Sequence, residues 1–306
     1  MHEGERILRI CNACRYCEGY CAVFPAMERR QTFSQPDLNY LANLCHKCGE
    51  CLEACQYAPP HEFAVDVPKV LEEIREASWR RYAWPAPIPF WLLVAVGAIV
   101  PFALSRPGRD FYSIMPHATM VLLFGIAAAL AAVACILGAL KFWREGGERF
   151  TLTARPIRDI LTLRYAHRGA QRWFHHFTFY GFALCFASTT TAAFYHYALH
   201  LKAPYAYLSL PVLLGTAGGI ALTAGTLGLF SLKHHSSFLV LLFLTSVSGL
   251  ALLALRESSV MRALLILHLG LVLAFFLTLP YGKFVHGIYR SAALIRYAVE
   301  SRGIHR

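Results

Sequence analysis

Cys11-Asn12-Ala13-Cys14-Arg15-Tyr16-Cys17-Glu18-Gly19-Tyr20-Cys21 and, 34 positions later, Cys45-His46-Lys47-Cys48-Gly49-Glu50-Cys51-Leu52-Glu53-Ala54-Cys55 are one motif written twice. Both runs follow C-x2-C-x2-C-x3-C, Pro25 and Pro59 fall in the same register, and eight of the ten cysteines are used. Three thiolates from one tight loop cap three corners of an iron–sulfur cubane, and the fourth must come from elsewhere. In two-cluster ferredoxins the last Cys of each run crosses to the other cluster. The spacing therefore predicts two 4Fe–4S clusters, one held by Cys11, Cys14, Cys17 and Cys55, the other by Cys45, Cys48, Cys51 and Cys21. Structural zinc usually pairs two separated C-x2-C knuckles, and disulfides do not explain a repeated triple spacing. Ala22 and Gln56 stand where such runs commonly carry proline, a departure in loop geometry that leaves the thiol set intact.

Working outward, the 306 residues are 57% hydrophobic and only 15% charged, too apolar for a soluble domain of that length. The reading is a membrane protein with a soluble head, divided at 1–84 and 85–306. The head carries 10 Lys+Arg against 12 Asp+Glu and the remainder 19 against 6, so the net charge of +11 belongs to the membrane part. That distribution speaks against nucleic acid as a partner and for loops that orient helices or meet lipid headgroups. Met1-His2-Glu3-Gly4-Glu5-Arg6 has no apolar core to act as a signal peptide, so the head is expected in the cytoplasm, where reduced thiols suit cluster assembly.

Between the cysteine runs, Ser34-Gln35-Pro36-Asp37 reads as a helix start, and Leu38, Leu41, Ala42 and Leu44 recur at helical spacing. A further helix is predicted over 68–81, and no run of alternating β-branched residues marks a strand. The fold class is thus mainly α: an α-helical two-cluster ferredoxin domain followed by a six-helix transmembrane bundle. The apolar segments are 88–104, 117–140, 174–198, 208–231, 237–255 and 260–283, the first being the shortest and interrupted by Pro101. With the head inside, the inner loops and tail hold fourteen Lys/Arg. The outer loops hold five: Arg106, Arg109, Lys202, Arg256 and Arg262. Six spans of a cytoplasmic membrane, with both termini cytoplasmic, fit that count. The basic inner loop from Lys141 to Trp173 is a topology signal or a docking surface for the head or an acidic partner.

Histidines at span ends suggest a second kind of centre, because histidine is costly inside a bilayer. His268 and His286 are 18 residues apart, five whole turns on one continuous helix, which would stand both rings on one face roughly 27 Å apart along the axis. Such a pair suits one or two b-type haems, each needing a second axial ligand from a facing helix. His175, His176 and His196 on the third span offer these, His286 pairing with His175 or His176 and His268 with His196. Helical phase relative to His196 favours His175. Small residues of that span, Gly181, Ala183, Ala187, Ser188, Ala192 and Ala193, would let a flat macrocycle approach. His117, His200, His234 and His235 read mainly as interfacial, and Cys135 and Cys185 as packing residues. Arg256 and Arg262 read as interfacial charges on the outer side, although an arginine can also bind a haem propionate. The glycines from Gly215 to Gly228 lack the ending and preceding strand of a nucleotide loop and read as close helix packing.

Four stretches carry a resemblance over nearly the whole chain. They are Cys11–Cys21 with Val23-Phe24-Pro25; Cys45–Cys55 with Tyr57-Ala58-Pro59-Pro60-His61-Glu62-Phe63; Arg172-Trp173-Phe174-His175-His176 through Gly181-Phe182; and Leu267-His268-Leu269-Gly270 through Pro280-Tyr281-Gly282-Lys283-Phe284-Val285-His286-Gly287-Ile288-Tyr289-Arg290. In these the chain resembles the tricarballylate utilisation protein B family, also called citrate utilisation protein B. The last stretch is similar to the haem-bearing helix of the nitrate reductase gamma-subunit group, whose pattern on the third span matches His176 better than His175. The resemblance implies a multi-pass electron-transfer protein, an oxidoreductase component without a substrate-dehydrogenating site of its own. It would take electrons from a flavoprotein partner, the FAD-dependent tricarballylate dehydrogenase, and pass them through clusters and haem to quinone. The residues leave open a subunit of a heterodisulfide-like or nitrate-reductase-like complex, and a membrane redox sensor without turnover. A metal or citrate transporter would need polar groups at mid-membrane, of which Ser188-Thr189-Thr190-Thr191 supplies few.

Overall fold

A computed structural model of the chain describes residues 3–85, 87–147, 154–164, 169–232 and 236–302. Among the described residues every regular element is helical, as the absence of alternating β-branched runs implies. In chain order these are α1 (Glu3–Cys14), α2 (Val23–Met27), α3 (Gln35–Leu44), α4 (Glu50–Glu53), α5 (Val67–Tyr82), α6 (Phe90–Leu104) and α7 (Phe111–Ile114). There follow α8 (His117–Gly146), α9 (Ala154–Leu161), α10 (Gly169–Tyr197), α11 (Leu210–Ser231), α12 (Ser237–Ala254), α13 (Met261–Thr278) and α14 (Val285–Arg302). They divide into two compact units. One comprises Met1–Pro87, Val133–Arg168 and Phe284–Arg306, the other Ile88–Ala132 and Gly169–Lys283.

In the first unit, α3 starts where its sequence says. Ser34 caps it in a reciprocal capping box with Asp37, and Pro36 lies in the first turn, where a missing N–H costs nothing. All seven residues from Leu38 to Leu44 are buried, so this helix is enclosed on every side rather than on one stripe. Its two enclosed amides are satisfied: Asn39 Nδ2 donates to Tyr82 Oη and Glu145 Oε2, each at 3.2 Å, while Asn43 Nδ2 donates within the helix to Asn39 O at 2.8 Å and Trp79 Nε1 donates to Asn43 Oδ1 at 2.9 Å. The helix predicted over 68–81 is α5, capped by Asp66 accepting from Lys69 N–H at 3.0 Å.

The core around α3 is not confined to the N-terminal segment. Ile7, Leu8, Phe24, Met27, Leu41, Leu71 and Tyr82 share it with Phe142 of α8 and with Val285, Tyr289, Ala293 and Leu294 of α14. Those last four positions recur on one face of a helix, so the segment read as a basic tail is an amphipathic helix packed into the head. Polar contacts hold it there. Arg30 pairs with Glu300 at 2.6 Å and Asp37 at 2.7 Å, Tyr40 donates to Glu300, and the guanidiniums of Arg30 and Arg296 lie over the Tyr40 ring. On α8, Glu145 accepts from Tyr82 at 2.5 Å and from Arg81.

In the second unit α10 and α11 pack backbone to backbone. A Cβ at Gly181 would lie 2.6 Å from Leu222 N, and one at Gly225 would lie 2.6 Å from Thr178 N and 2.8 Å from Phe174 O. The glycines of the fourth segment therefore serve close packing, as expected. The small-residue face of α10 expected to admit a macrocycle is instead filled at Gly181 by α11, and Ser188 donates to Pro211 O at 2.6 Å.

Five helices, α8, α10, α11, α12 and α13, are long and apolar enough to cross a membrane. The first of the six expected segments is the apolar but shorter α6, whose 15 residues span about 22 Å against a hydrocarbon core of roughly 30 Å. It packs on α13 through Gly97, where an added Cβ would come within 2.6 Å of Ala274.

Candidate metal centres

The two cysteine runs fold alike where their geometry is most demanding. Arg15 and Gly49, each following the second cysteine of its run, both have left-handed backbone, with φ of 55° and 84°. That bend lets the third cysteine turn back toward the first two. Glycine adopts it freely, and Arg15 holds it without that freedom. Cys11 and Cys14 ride on the last turn of α1, Cys45 caps α3, and Cys51 sits on α4.

Two cavities open among these elements, and they sort the eight thiols by fours. One is lined by Cys11, Cys14, Cys17 and Cys55, with Tyr16, Gln56 and Tyr57 among its other walls. The other is lined by Cys21, Cys45, Cys48 and Cys51, with Tyr20, His46 and Glu50. The last cysteine of each run thus lies with the first three of the other. All ten cysteines are free thiols. Among the described residues no three His, Cys, Asp or Glu side chains converge tightly enough for a single metal ion. Four thiols spread around a shared cavity instead match a group with four metal corners.

The electrostatics of the bare thiols point the same way. Burial, reinforced by the neighbouring cysteines, pushes Cys11 and Cys21 up to about 12 and raises Cys51 and Cys45 as well. Such thiols stay protonated at neutral pH unless a positive centre is present, and coordination to a metal deprotonates them outright. Main-chain donors are already aimed at sulfur, Lys47 N–H reaching Cys45 Sγ at 3.4 Å and Val23 N–H bonding Cys21. Arg290, half-buried, donates to Leu44 O at 2.6 Å. Burial lowers its guanidinium to about 10, partly countered by the Cys45 and Cys21 thiolates, so it remains a cation.

The membrane histidines are placed differently from the expected pairing. His268 and His286 do not share a helix. Leu279 still has right-handed helical backbone, but Pro280 has no N–H to continue the ladder, and Tyr281 and Gly282 both turn their N–H groups back onto Thr278 O. α13 therefore ends at Thr278 and His286 begins the separate α14, so the five-turn phase relation does not hold. His196 stacks not on His268 but on His117, ring centroids 3.7 Å apart, with Tyr112 and Tyr197 at their edges. His196 Nδ1 is buried without a hydrogen-bond partner. His117, read from sequence as interfacial, is thus the nearest companion of a candidate ligand. Only its place as the first residue of a span could have signalled it. His176 stacks on Tyr180 at 5.8 Å beside the half-buried His175. Arg256 is held in its loop, donating to Tyr205 O at 2.7 Å and lying over the Tyr207 ring. Lys233, His234, His235 and the loop stretches 148–153 and 165–168 lie outside the described residues.

His268 has the chemistry of a ligand. Ser248 Oγ lies 3.0 Å from His268 Nδ1 and 3.1 Å from Thr245 O, to which it can donate. In the tautomer whose Nδ1–H donates to this hydroxyl, Nε2 is the unprotonated nitrogen, the form that binds a metal. Gly249 makes the room, since a Cβ there would lie 3.0 Å from the ring.

Comparison with known proteins agrees along the whole chain. The family model described as citrate utilization protein B matches residues 83–305, and that described as citrate utilization protein B Fer4-like domain matches residues 4–81. Citrate utilization protein B of Escherichia coli is 45% identical over an alignment covering 98% of this chain and 92% of its own length. No solved structure matches.

Proposed function

The chain belongs to the citrate utilization protein B family, and from that premise we propose that it takes electrons from a flavoprotein dehydrogenase and delivers them to membrane quinone. Its Fer4-like N-terminal part is an iron–sulfur electron-transfer module, and its apolar helices are those of a membrane protein. The observation that carries the finer reading is the sorting of eight thiols into two cavities with Cys21 and Cys55 exchanged.

Cys11, Cys14, Cys17 and Cys55 would hold one 4Fe–4S cluster, and Cys45, Cys48, Cys51 and Cys21 the other. His268 would hold a b-type haem through Nε2, with its second ligand from the α10 histidines His175, His176 or His196. When bound, these groups supply one-electron stations between a two-electron flavin and a two-electron quinone. The chain's own residues orient the ligands: Ser248 holds the His268 ring at Nδ1, and Lys47 and Val23 direct N–H groups at sulfur. The partner is an FAD-dependent dehydrogenase of a tricarboxylic acid, tricarballylate by family resemblance. The termini and the head face the cytoplasm.

The reading is tested on detergent-purified full-length protein by iron and acid-labile sulfide analysis with a dithionite-reduced minus oxidised spectrum. About eight irons of cluster type per chain, with a b-type haemochrome and reduction of a soluble quinone analogue, is the expected outcome. Iron and sulfide near four would sink the two-cluster reading, and absence of haem would leave His268 without its proposed role.

A further inference from the structure

Within the head, two guanidinium groups approach the same cysteine set. Arg290 on α14 donates Nη1–H to Leu44 O at 2.6 Å, and Arg75 on α5 donates Nη1–H to the next carbonyl, Cys45 O, at 2.8 Å. Both charges act on Cys45, and that of Arg290 acts also on Cys21 and Cys48. This set also receives the sulfur-directed N–H groups of Lys47 and Val23. One carboxylate, Glu50, lines the cavity itself, and the two guanidiniums act on its cysteines from behind that lining.

The other set has weaker help: the charges acting on Cys11 and Cys17 are those of the neighbouring cysteines alone. None of the described residues lining the cavity of Cys11, Cys14, Cys17 and Cys55 is charged, and the Gln56 amide lies 4.0 Å from Cys14 Sγ. Net charge and hydrogen bonds to sulfur are the means by which a protein sets the potential of an iron–sulfur site. A one-electron reduction adds one negative charge, breaks no bond and needs no proton. A fixed positive charge a few ångströms away in a partly desolvated site favours it far more than one in water.

We propose that Arg290 and Arg75 set the potential of the site formed by Cys21, Cys45, Cys48 and Cys51 above that of the site formed by Cys11, Cys14, Cys17 and Cys55. Electrons from the reduced flavin of the partner then enter at the second of these sites and collect at the first, beside α14. That helix carries His286 one turn before Arg290, on the same face. The inference rests on the two-cluster reading given above. It adds the direction of flow within the head and names the residues that impose it. Both arginines act through charge and neither touches iron, so they are positioning residues for the potential.

The test is a redox titration followed by electron paramagnetic resonance on the full-length protein, with iron and sulfide measured on each sample. Arg290→Gln should make reduction of one site about tenfold less favourable, which for one electron is about 59 mV, and leave the other unchanged. Arg75→Gln should move the same site in the same direction by less, and Arg290→Lys should restore most of the wild-type value. Cys14→Ser marks the other site by altering its signal. Two loaded clusters whose midpoints ignore both arginine variants overturn the proposal, as does a shift in the site marked by Cys14→Ser. Should Arg290→Gln fail to load iron, Arg75→Gln and Arg290→Lys decide: an unmoved midpoint in the first, or one in the second lowered as far as charge removal would lower it, overturns it. A wild-type protein without two clusters refutes the underlying reading instead, and the iron analysis tells the two failures apart.

Discussion

Arg30, three residues beyond the end of α2 in the cysteine-rich head, and Glu300, near the end of the last helix, form an ion pair at 2.6 Å, each side chain only 10% exposed. The pair closes a loop of 270 residues and sits in a cluster with Asp37, Tyr40 and Arg296. Removing Glu300 leaves the enclosed guanidiniums of Arg30 and Arg296 to share the single carboxylate of Asp37, and under-compensated buried charge costs more than the pair itself contributes. Glu300→Ala should therefore destabilise the head by about 3 kcal/mol, read as a lower midpoint of denaturant unfolding followed by loss of iron–sulfur absorbance. The double variant Arg30→Met/Glu300→Leu should recover part of it.

Asp37 gives the same cluster a pH dependence. Burial works against its ionisation, yet hydrogen bonds from Ser34 and Arg30 outweigh it and hold the carboxyl below its ordinary value. A carboxylate with a depressed folded value stabilises the fold above its unfolded value, near 3.9, and loses that stabilisation as pH falls through the folded one. Stability of the head should thus decline below about pH 4. Asp37→Asn should flatten that limb of the curve while lowering stability at neutral pH, because the capping box is lost as well.

The exchange of Cys21 and Cys55 predicts which variants resemble one another. Cys55→Ser should disturb the same paramagnetic signal as Cys14→Ser, although the two residues belong to different runs, and Cys21→Ser should match Cys48→Ser. Spectra that group Cys55 with Cys48 would place the fourth ligands within their own runs.

Close packing of α10 on α11 leaves no room at Gly225. A methyl there meets main-chain atoms of Phe174 and Thr178, which cannot rotate away. Gly225→Ala should cost about 1–3 kcal/mol by overpacking, while Gly125→Ala on α8, where nothing lies within 4 Å, should be tolerated. Thermal aggregation midpoints of the two variants in detergent make the comparison.

For His268, the hydrogen bond between Nδ1 and Ser248 predicts a graded pair of variants. His268→Ala should abolish b-type absorbance assigned to that site. Ser248→Ala should retain it but weaken haem retention on the order of tenfold, the usual loss when the group orienting a ligand is removed. Haem titration into protein stripped of it separates the two. Equal retention in Ser248→Ala and wild type would remove the orienting role.

Much of this protein is written in local chemistry. The two cysteine runs, the capping signature at Ser34, the glycines of α11 and the apolar segments each specify their own structure, because spacing along the chain sets which groups one loop, one helix end or one helix face presents. Even the exchange of Cys21 and Cys55 between cavities follows from how many thiolates one tight loop can offer. The segment from Val285 onward was not legible in that way. Arg290, Arg296 and Arg302 make it read as a basic tail. It is a helix of the head only because Glu300 and Tyr40 answer Arg30 and Arg296 across space, and because Val285, Tyr289 and Ala293 meet the core around α3. The tertiary structure likewise decided that Pro280 parts His268 from His286 and that His196 meets His117. These are pairings between segments far apart in sequence, chosen by which surfaces fit once charges are matched and apolar faces buried. No periodicity within a single segment encodes such a choice.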